Sequence, residues 1–171
     1  MAAPTSSFSV NQSTIGVDLN NTSTTQLFAL GTKVFGTQNS EWVYVQAATS
    51  VTAYKMVYVN GTFTVGMASG GDLISGLGQI AVAQNAFAAS EYGWVCFRAD
   101  RVGLMCTGSV SVNNQLFLAA SSTPTGICSI SASASGTIVG VSLVTVVDTA
   151  NATVHSAVLT WPRPGAPAPV L

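Results

Sequence analysis

Charged residues are scarce in this sequence: six acidic and five basic side chains among 171 residues give a net charge of −1. Their share is 6%, against roughly 25% in ordinary globular domains. A nucleic-acid-binding protein needs clustered Lys and Arg to neutralise phosphates, so we expect no nucleic-acid partner. Weak electrostatic repulsion between copies favours permanent assembly, with a monomer covered by Ser, Thr and Asn as the alternative.

Long apolar runs are also missing, although 48% of the residues are hydrophobic and the mean hydropathy is +0.47. A membrane-spanning helix needs about 18 or more consecutive apolar residues, and the longest candidate run, 137–147, has the length of a strand. Residues 1–7 (MAAPTSS) lack the positive and apolar regions of a signal peptide. We therefore expect no membrane partner and a chain that is made and kept in the cytosol.

Residues that carry out chemistry are few and scattered. The single histidine, His155, follows Asp148 by seven residues, and no Gly-x-Ser-x-Gly segment presents a nucleophile. The segment 76–81 (GLGQIA) formally matches a dinucleotide fingerprint, but no buried strand precedes it. We expect no catalytic residues and no cofactor, and we predict that the protein is not an enzyme.

The three cysteines are an odd number, which argues against a complete disulfide framework. Cys96, Cys106 and Cys128 also lack the close spacing of a metal-binding clip, so we expect no metal site. If strands 92–98 and 104–110 paired around a five-residue loop, Cys96 would lie opposite Cys106. We favour the alternative, that the thiols are free and buried.

Small and β-branched residues dominate what is present: Ala, Val, Ser, Thr and Gly fill 99 of the 171 positions. From residue 27 onward, short segments with period-two alternation are separated by clusters of Gly, Asn, Asp or Ser. This pattern predicts an all-β fold, a compact antiparallel β-sandwich or barrel. The predicted strands are 41–47, 53–59, 62–67, 79–84, 92–98, 102–112, 115–120, 125–131, 137–147 and 154–160.

Two local signals are more specific. Asn60-Gly61 lies between alternating runs and predicts a β-hairpin with a type I′ turn, in which both central residues have positive φ. The alanine-rich window 80–90 (IAVAQNAFAAS) is the one place where a short helix competes with a strand.

The two ends of the chain differ in composition from the middle. Residues 1–26 are rich in Ser, Thr and Asn and predict an extended N-terminal arm, with an edge strand and a frayed terminus as the alternative. Residues 161–171 hold four of the six prolines and predict an extended proline-rich tail. Residues 27–160 are the predicted β domain.

Two segments carry a resemblance to a known family: 41–47 (EWVYVQA) and 91–98 (EYGWVCFR). Over about residues 31–147, the sequence resembles the small structural proteins of tailed bacteriophages that decorate or cement the capsid. The family pattern is polar after Val95, where this sequence has Cys96. The resemblance implies a virion protein, made in the host cytoplasm, that binds the outer surface of the major capsid protein shell, often as a homotrimer, and stabilises the head.

Within that hypothesis, the arm contacts the capsid and aromatic side chains form subunit interfaces. The predicted arm contacts are Phe8, Val10, Ile15 and Val17, and the predicted interface aromatics are Trp42, Tyr92 and Trp94. Two alternatives remain open. One is a carbohydrate- or receptor-binding β module of a tail spike or adhesin, in which Trp42, Trp94 and Trp161 stack on sugar rings. The other is a tail-tube subunit.

Overall fold

The structure, a computed structural model, describes residues 13–14, 17–70, 78–110, 116–118, 125–129, 137–144 and 147–165. Every element with defined bounds in these ranges is a β-strand, which confirms the predicted all-β class. The strands are β1 (Ser13–Thr14), β2 (Val17–Asp18), β3 (Lys33–Gly36), β4 (Ser40–Ala47), β5 (Met56–Val59), β6 (Thr64–Met67), β7 (Gln79–Ala83), β8 (Tyr92–Val110), β9 (Leu116–Leu118), β10 (Cys128–Ser129), β11 (Thr137–Leu143) and β12 (Val147–Pro164).

Five strands close into a small barrel in the order β8–β7–β5–β6–β4, with β4 pairing back to β8. The pairs are antiparallel except β4 with β6, which is parallel. Its interior is filled by alternate residues of each strand, almost all of them small: Val43, Val45, Ala47, Val57, Val59, Val65, Ala81, Ala83, Val95 and Phe97. Small side chains suit a five-stranded barrel because its interior is narrow.

Many of the remaining alternate residues of these strands face outward and are buried as well. They belong to a second cluster with Leu19 from the N-terminal segment and with apolar residues of the C-terminal strands. The barrel is therefore packed on both faces, which explains why β4 is almost continuously buried. The outward-facing members on the barrel strands are Trp42, Tyr44, Met56, Ile80, Val82, Trp94 and Cys96.

A second closed circuit of strand pairs shares β8 with the barrel. It runs β8–β12–β11–β9–β10 and returns to β8 through a short parallel pair, Cys128 with Cys106 and Ser129 with Thr107. The 19 residues of β8 form one strand, so the predicted break between 98 and 102 is wrong. The charged residues there lie on a strand because β12 pairs with β8 on both sides, at Ala99 and at Val102.

The hairpin predicted at Asn60-Gly61 exists, but its turn type differs. The strands β5 and β6 pair up to Val59 and Val65, and the amide of Phe63 donates to the carbonyl of Asn60 at 3.0 Å. The left-handed residue is Phe63, with φ of 59°, and Gly61 is not in the positive-φ region. The loop is therefore longer than a two-residue type I′ turn. Asn60 organises it by accepting hydrogen bonds from the amides of Thr62 and Thr64 with its side-chain oxygen.

The strand predicted at 79–84 is confirmed as β7, whereas the predicted start of the tail is corrected. In the window 80–90, residues up to Ala83 form β7 and not a helix, because the strand pairs with β5 and β8 and is buried between them. Residues 161–164, predicted as the start of the tail, belong to β12, which continues through Pro164 beside β11. A bulge in that pairing accompanies a left-handed Trp161, with φ of 58°, opposite Gly140 with φ of 82°. The tail residues 166–171 lie outside the described residues.

Candidate functional site

An N-terminal strap, residues 17–28, lies across the outer face of β4 and β8. Leu19 is fully buried in the core cluster, and its carbonyl accepts a hydrogen bond from the side-chain amide of Asn85 at 3.1 Å. Ser23 and Tyr92 exchange two backbone hydrogen bonds, of 2.9 and 2.8 Å. The amide of Leu27 donates to the hydroxyl of Tyr44 at 3.1 Å. The strap is thus held at three points, and the predicted arm boundary at residue 26 falls inside it.

Local hydrogen bonds fix the shape of the strap between these points. The carboxylate of Asp18 accepts from the amide of Asn20, and the hydroxyl of Ser23 accepts from the amide of Thr25. The side-chain oxygen of Asn21 accepts from the amide of Thr22. Asp, Asn and Ser favour such turns because their short side chains reach the neighbouring backbone. The Ser/Thr/Asn-rich composition of this segment therefore produces turns.

A cluster of four aromatic rings lies beneath the strap. Tyr44 is at its centre, with its ring 5.2 Å from Phe28, 5.0 Å from Trp94 and 6.2 Å from Tyr92. The Tyr44 and Tyr92 rings are stacked, with 13° between their planes, and Phe28 meets Tyr44 edge-on. Tyr44 and Trp94 are cross-strand partners in β4 and β8, so segments 41–47 and 91–98 supply three of the four rings and the strap supplies Phe28.

The strap and the ring cluster enclose a partly open cleft of about 140 Å³. Aromatic side chains form one part of its lining, and the polar residues of the strap form another. Leu27, which is 66% exposed, also lines the cleft. The residues that line it are Val17, Asp18, Asn21, Thr22, Ser23, Leu27, Phe28, Tyr44, Tyr92 and Trp94.

The predicted interface aromatics lie at or near this site, but two of them are core residues. Trp42 is fully buried, and its indole N–H makes no hydrogen bond among the described residues. Trp94 is only 2% exposed, and Tyr92 is half-buried. Burial keeps Trp42 and Trp94 from serving as large contact surfaces for another protein.

The predicted arm contacts divide in the same way. Val17 is half-buried, packs against the core cluster and lines the cleft. It therefore belongs to the body of this chain. Phe8, Val10 and Ile15 lie outside the described residues.

The exposed aromatic residues are different ones, and they surround one end of the barrel. Phe35, on β3, is 70% exposed, and Trp161, on β12, is 41% exposed. The centroids of the Trp161 and Phe97 rings are 6.1 Å apart, and the ammonium of Lys33 lies 5.2 Å from the centroid of the Trp161 ring. Lys33 also pairs with the buried carboxylate of Glu41 at 3.1 Å. We call Lys33, Phe35, Glu41 and Trp161 the aromatic end surface.

Among the titratable groups that the sequence drew attention to, Cys106 and Cys128 are neighbours, because they are partners in the parallel pair of β8 and β10. His155 is half-buried on β12, its Nε2 bonds the hydroxyl of Thr153, and burial lowers its pKa. Cys96 and Cys106 lie ten positions apart on the single strand β8, so they do not face each other as a hairpin would place them. All three thiols are free and buried, as favoured. Among the described residues, no three His, Cys, Asp or Glu side chains come together as a metal site.

Sequence reasoning missed Leu19, Phe28 and Phe35. The apolar-residue pattern contained no signal for them, because Leu19 lies in a polar stretch and Phe28 lies outside any strand. For Leu19 and Phe28, position in the strap, and not periodicity, decides burial, whereas Phe35 is exposed on β3, a strand that the sequence did not predict.

Comparisons with known proteins add no family. In the part of the chain that the structure describes, no helix is long and apolar enough to cross a membrane. A scan against protein-family models and a search of curated proteins both found no match.

Proposed function

We propose that this chain is a structural virion protein of a tailed bacteriophage, which binds the outer surface of the major capsid protein shell and stabilises the head. The observation that carries the proposal is the pairing of the two resembling segments: Trp42 pairs with Cys96, and Tyr44 with Trp94, at the centre of the barrel wall. The resemblance therefore covers one structural unit. In this proposal the chain acts at the capsid surface as a homotrimer, after synthesis in the host cytoplasm.

In the proposal the capsid contact uses a shorter part of the arm than the sequence predicted. Val17 and Leu19 pack on the body of this chain, so neither side chain serves as that contact. In the proposal, Phe8, Val10 and Ile15 are the apolar contacts with the shell. Many copies, each contributing a weak contact, give strong binding through multivalency.

The aromatic end surface is the proposed contact between subunits. Phe35 and Trp161 are large exposed aromatic residues close to the Lys33–Glu41 ion pair, and aromatic residues are enriched in protein interfaces. This surface takes the interface role that the sequence predicted for Trp42, Tyr92 and Trp94.

The test is size-exclusion chromatography with light scattering, on the purified chain alone and after mixing with empty heads of the phage that encodes it. The expected result is a trimer that elutes with the heads. Deletion of residues 1–12 is expected to reduce head binding while the body stays folded, because Leu19 and the strap remain. Phe35→Ser is expected to reduce trimer formation, with Leu27→Ser as the matched exposed control.

Two results would contradict the proposal. A monomer that does not bind heads argues against decoration, and a six-membered ring indicates the tail-tube alternative. Unchanged head binding after the deletion removes the arm from the mechanism.

A further inference from the structure

We propose that the cleft beneath the strap binds the terminal pyranose ring of a neutral glycan. This inference does not depend on the proposed role in capsid decoration, because the residues that line the cleft are not those to which that role assigns the capsid and subunit contacts.

The size of the cleft fits one six-membered ring. Its volume is about 140 Å³, and a protein cavity of about 150 Å³ is known to hold a benzene molecule. A pocket for a drug-sized molecule is larger, at roughly 300 Å³ or more. The opening toward solvent leaves room for the rest of a glycan to extend outward.

The lining has the two chemistries that a sugar presents. A pyranose has an apolar C–H face, which packs against aromatic rings, and the half-buried Phe28 and Tyr92 supply such rings, with the buried Tyr44 behind them. The hydroxyl of Tyr92 accepts from Gln46 at 3.1 Å. Among the described residues this hydroxyl donates no hydrogen bond, so it retains a proton for a ligand oxygen.

The polar side of the cleft has further hydrogen-bonding capacity. Asp18, Asn21 and Ser23 each accept one backbone N–H through a side-chain oxygen. A carboxylate has a second oxygen, an amide has two N–H donors, and a hydroxyl has its own proton. Sugar hydroxyls both donate and accept, so they match this mixed set. The bonds to the backbone also hold the side chains in place before a ligand arrives, which reduces the entropy lost on binding.

The charge of the cleft lining favours neutral sugars over acidic ones. Among the described residues, the lining contains the carboxylate of Asp18 and no Lys, Arg or His. An acidic sugar would place its carboxylate near Asp18 with no cation to offset the repulsion, so the cleft discriminates against it. A neutral hexose or N-acetylhexosamine carries no such penalty.

The experiment is a titration of the purified full-length chain with methyl glycosides of glucose, galactose, mannose and N-acetylglucosamine, followed by tryptophan fluorescence and calorimetry. The methyl glycoside of N-acetylneuraminic acid is the anionic comparison. At least one neutral glycoside is expected to bind in a saturable manner and to change the emission of Trp94. The anionic glycoside is expected to bind at least about tenfold more weakly.

Variants locate the site. Asn21→Ala and Asp18→Ala are surface changes and are expected to weaken binding by about tenfold each, which corresponds to one lost hydrogen bond to a charged or polar group. Tyr92→Leu is expected to weaken it further. Trp161→Ala is the matched control, since it removes an exposed aromatic ring at the aromatic end surface and is expected to leave binding unchanged. Thermal unfolding of each variant checks that it folds.

Three outcomes would overturn the inference. One is the absence of binding by every neutral glycoside, and another is loss of binding in Trp161→Ala with retention in Asn21→Ala. The third is occupation of the cleft by a peptide of residues 1–12, which would make it a site for a protein segment. Head binding measured in parallel separates failure of this inference from failure of the proposed function.

Discussion

The side-chain amide of Gln84 forms both hydrogen bonds of a backbone pair with Gly103. Its Nε2 donates to the Gly103 carbonyl at 2.9 Å, and its Oε1 accepts from the Gly103 amide at 3.0 Å. Gln84 is buried directly after β7 ends, and Gly103 lies where β8 leaves the barrel and enters the second circuit. The Gln84 side chain thus supplies hydrogen-bond partners to the Gly103 backbone, at an edge of β8 where it pairs with no strand among the described residues.

Gln84→Met keeps the volume of the side chain but removes these two bonds. A buried backbone group without a partner costs about 1–3 kcal/mol, so the free energy of unfolding is expected to fall by at least about 2 kcal/mol. Gln79→Met, at an exposed position of the same region, is the control and is expected to change it by less than about 0.5 kcal/mol. Urea unfolding measures both, and equal effects would show that the hydrogen bonds do not matter.

Leu19 anchors the strap, so Leu19→Ala is expected to destabilise the protein by about 2–5 kcal/mol and to loosen the cleft. Leu27→Ala removes the same side chain from an exposed position of the strap and is expected to have little effect on stability. Urea unfolding gives the free energies, and hydrogen exchange of amides 17–28 reports the loosening. Unchanged exchange in Leu19→Ala would mean that the polar contacts alone hold the strap.

Two glycines test the geometry of the loops. Gly31 has φ of 83°, and a Cβ there would lie 2.5 Å from the Phe63 ring. Gly31→Ala is therefore expected to lower the free energy of unfolding by about 1–3 kcal/mol. Gly61 has open space around it and no positive φ, so Gly61→Ala is expected to be neutral or stabilising by up to about 1 kcal/mol. Marked destabilisation by Gly61→Ala would instead indicate that residue 61 has positive φ, as the type I′ turn requires.

The buried thiols predict a loss of stability at high pH. Burial raises the pKa of Cys96 far above its ordinary value, and a hydrogen bond with Cys106 together with burial does the same for Cys128. Above about pH 8.5 the unfolded thiols lose their protons while the native ones keep them. The unfolded state then binds fewer protons at Cys96 and Cys128, so the folding equilibrium constant is expected to fall by up to about tenfold per pH unit for each of these two thiols.

Comparison of wild type with Cys128→Ala between pH 8.5 and pH 10 isolates one thiol from other groups that titrate there. The variant is expected to lose stability less steeply with pH. A thiol reagent at pH 8 is expected to modify none of the three cysteines in the native protein and all three after unfolding. Rapid modification of the native protein would contradict the burial.

The sequence by itself determined the all-β class and the approximate position of most strands. Alternation of apolar and polar or small residues, as in 41–47, is a local property, and the 8-residue strand β4 appears where it predicts. The hairpin at Asn60 was also local, because its side chain organises the turn whatever its exact type.

The tertiary structure decided which aromatic residues are accessible. The sequence offered both Trp42 and Trp161 as candidate contact residues, yet one is fully buried and the other is 41% exposed. The difference arises because both faces of the first barrel are covered, one by its own interior and the other by the strap and the C-terminal strands. The alternation of residues within a strand does not predict whether a segment that is distant in sequence covers the second face of that strand.

The cleft was equally invisible in the sequence. Its polar side comes from the strap and its aromatic side from β4 and β8, segments that are about 20 and 70 residues apart along the chain. Long-range packing of Leu19 brings them together. The alternation of apolar and polar residues is a local property, so the sequence alone predicts it. The contact between the strap and the barrel exists only when the whole chain has folded.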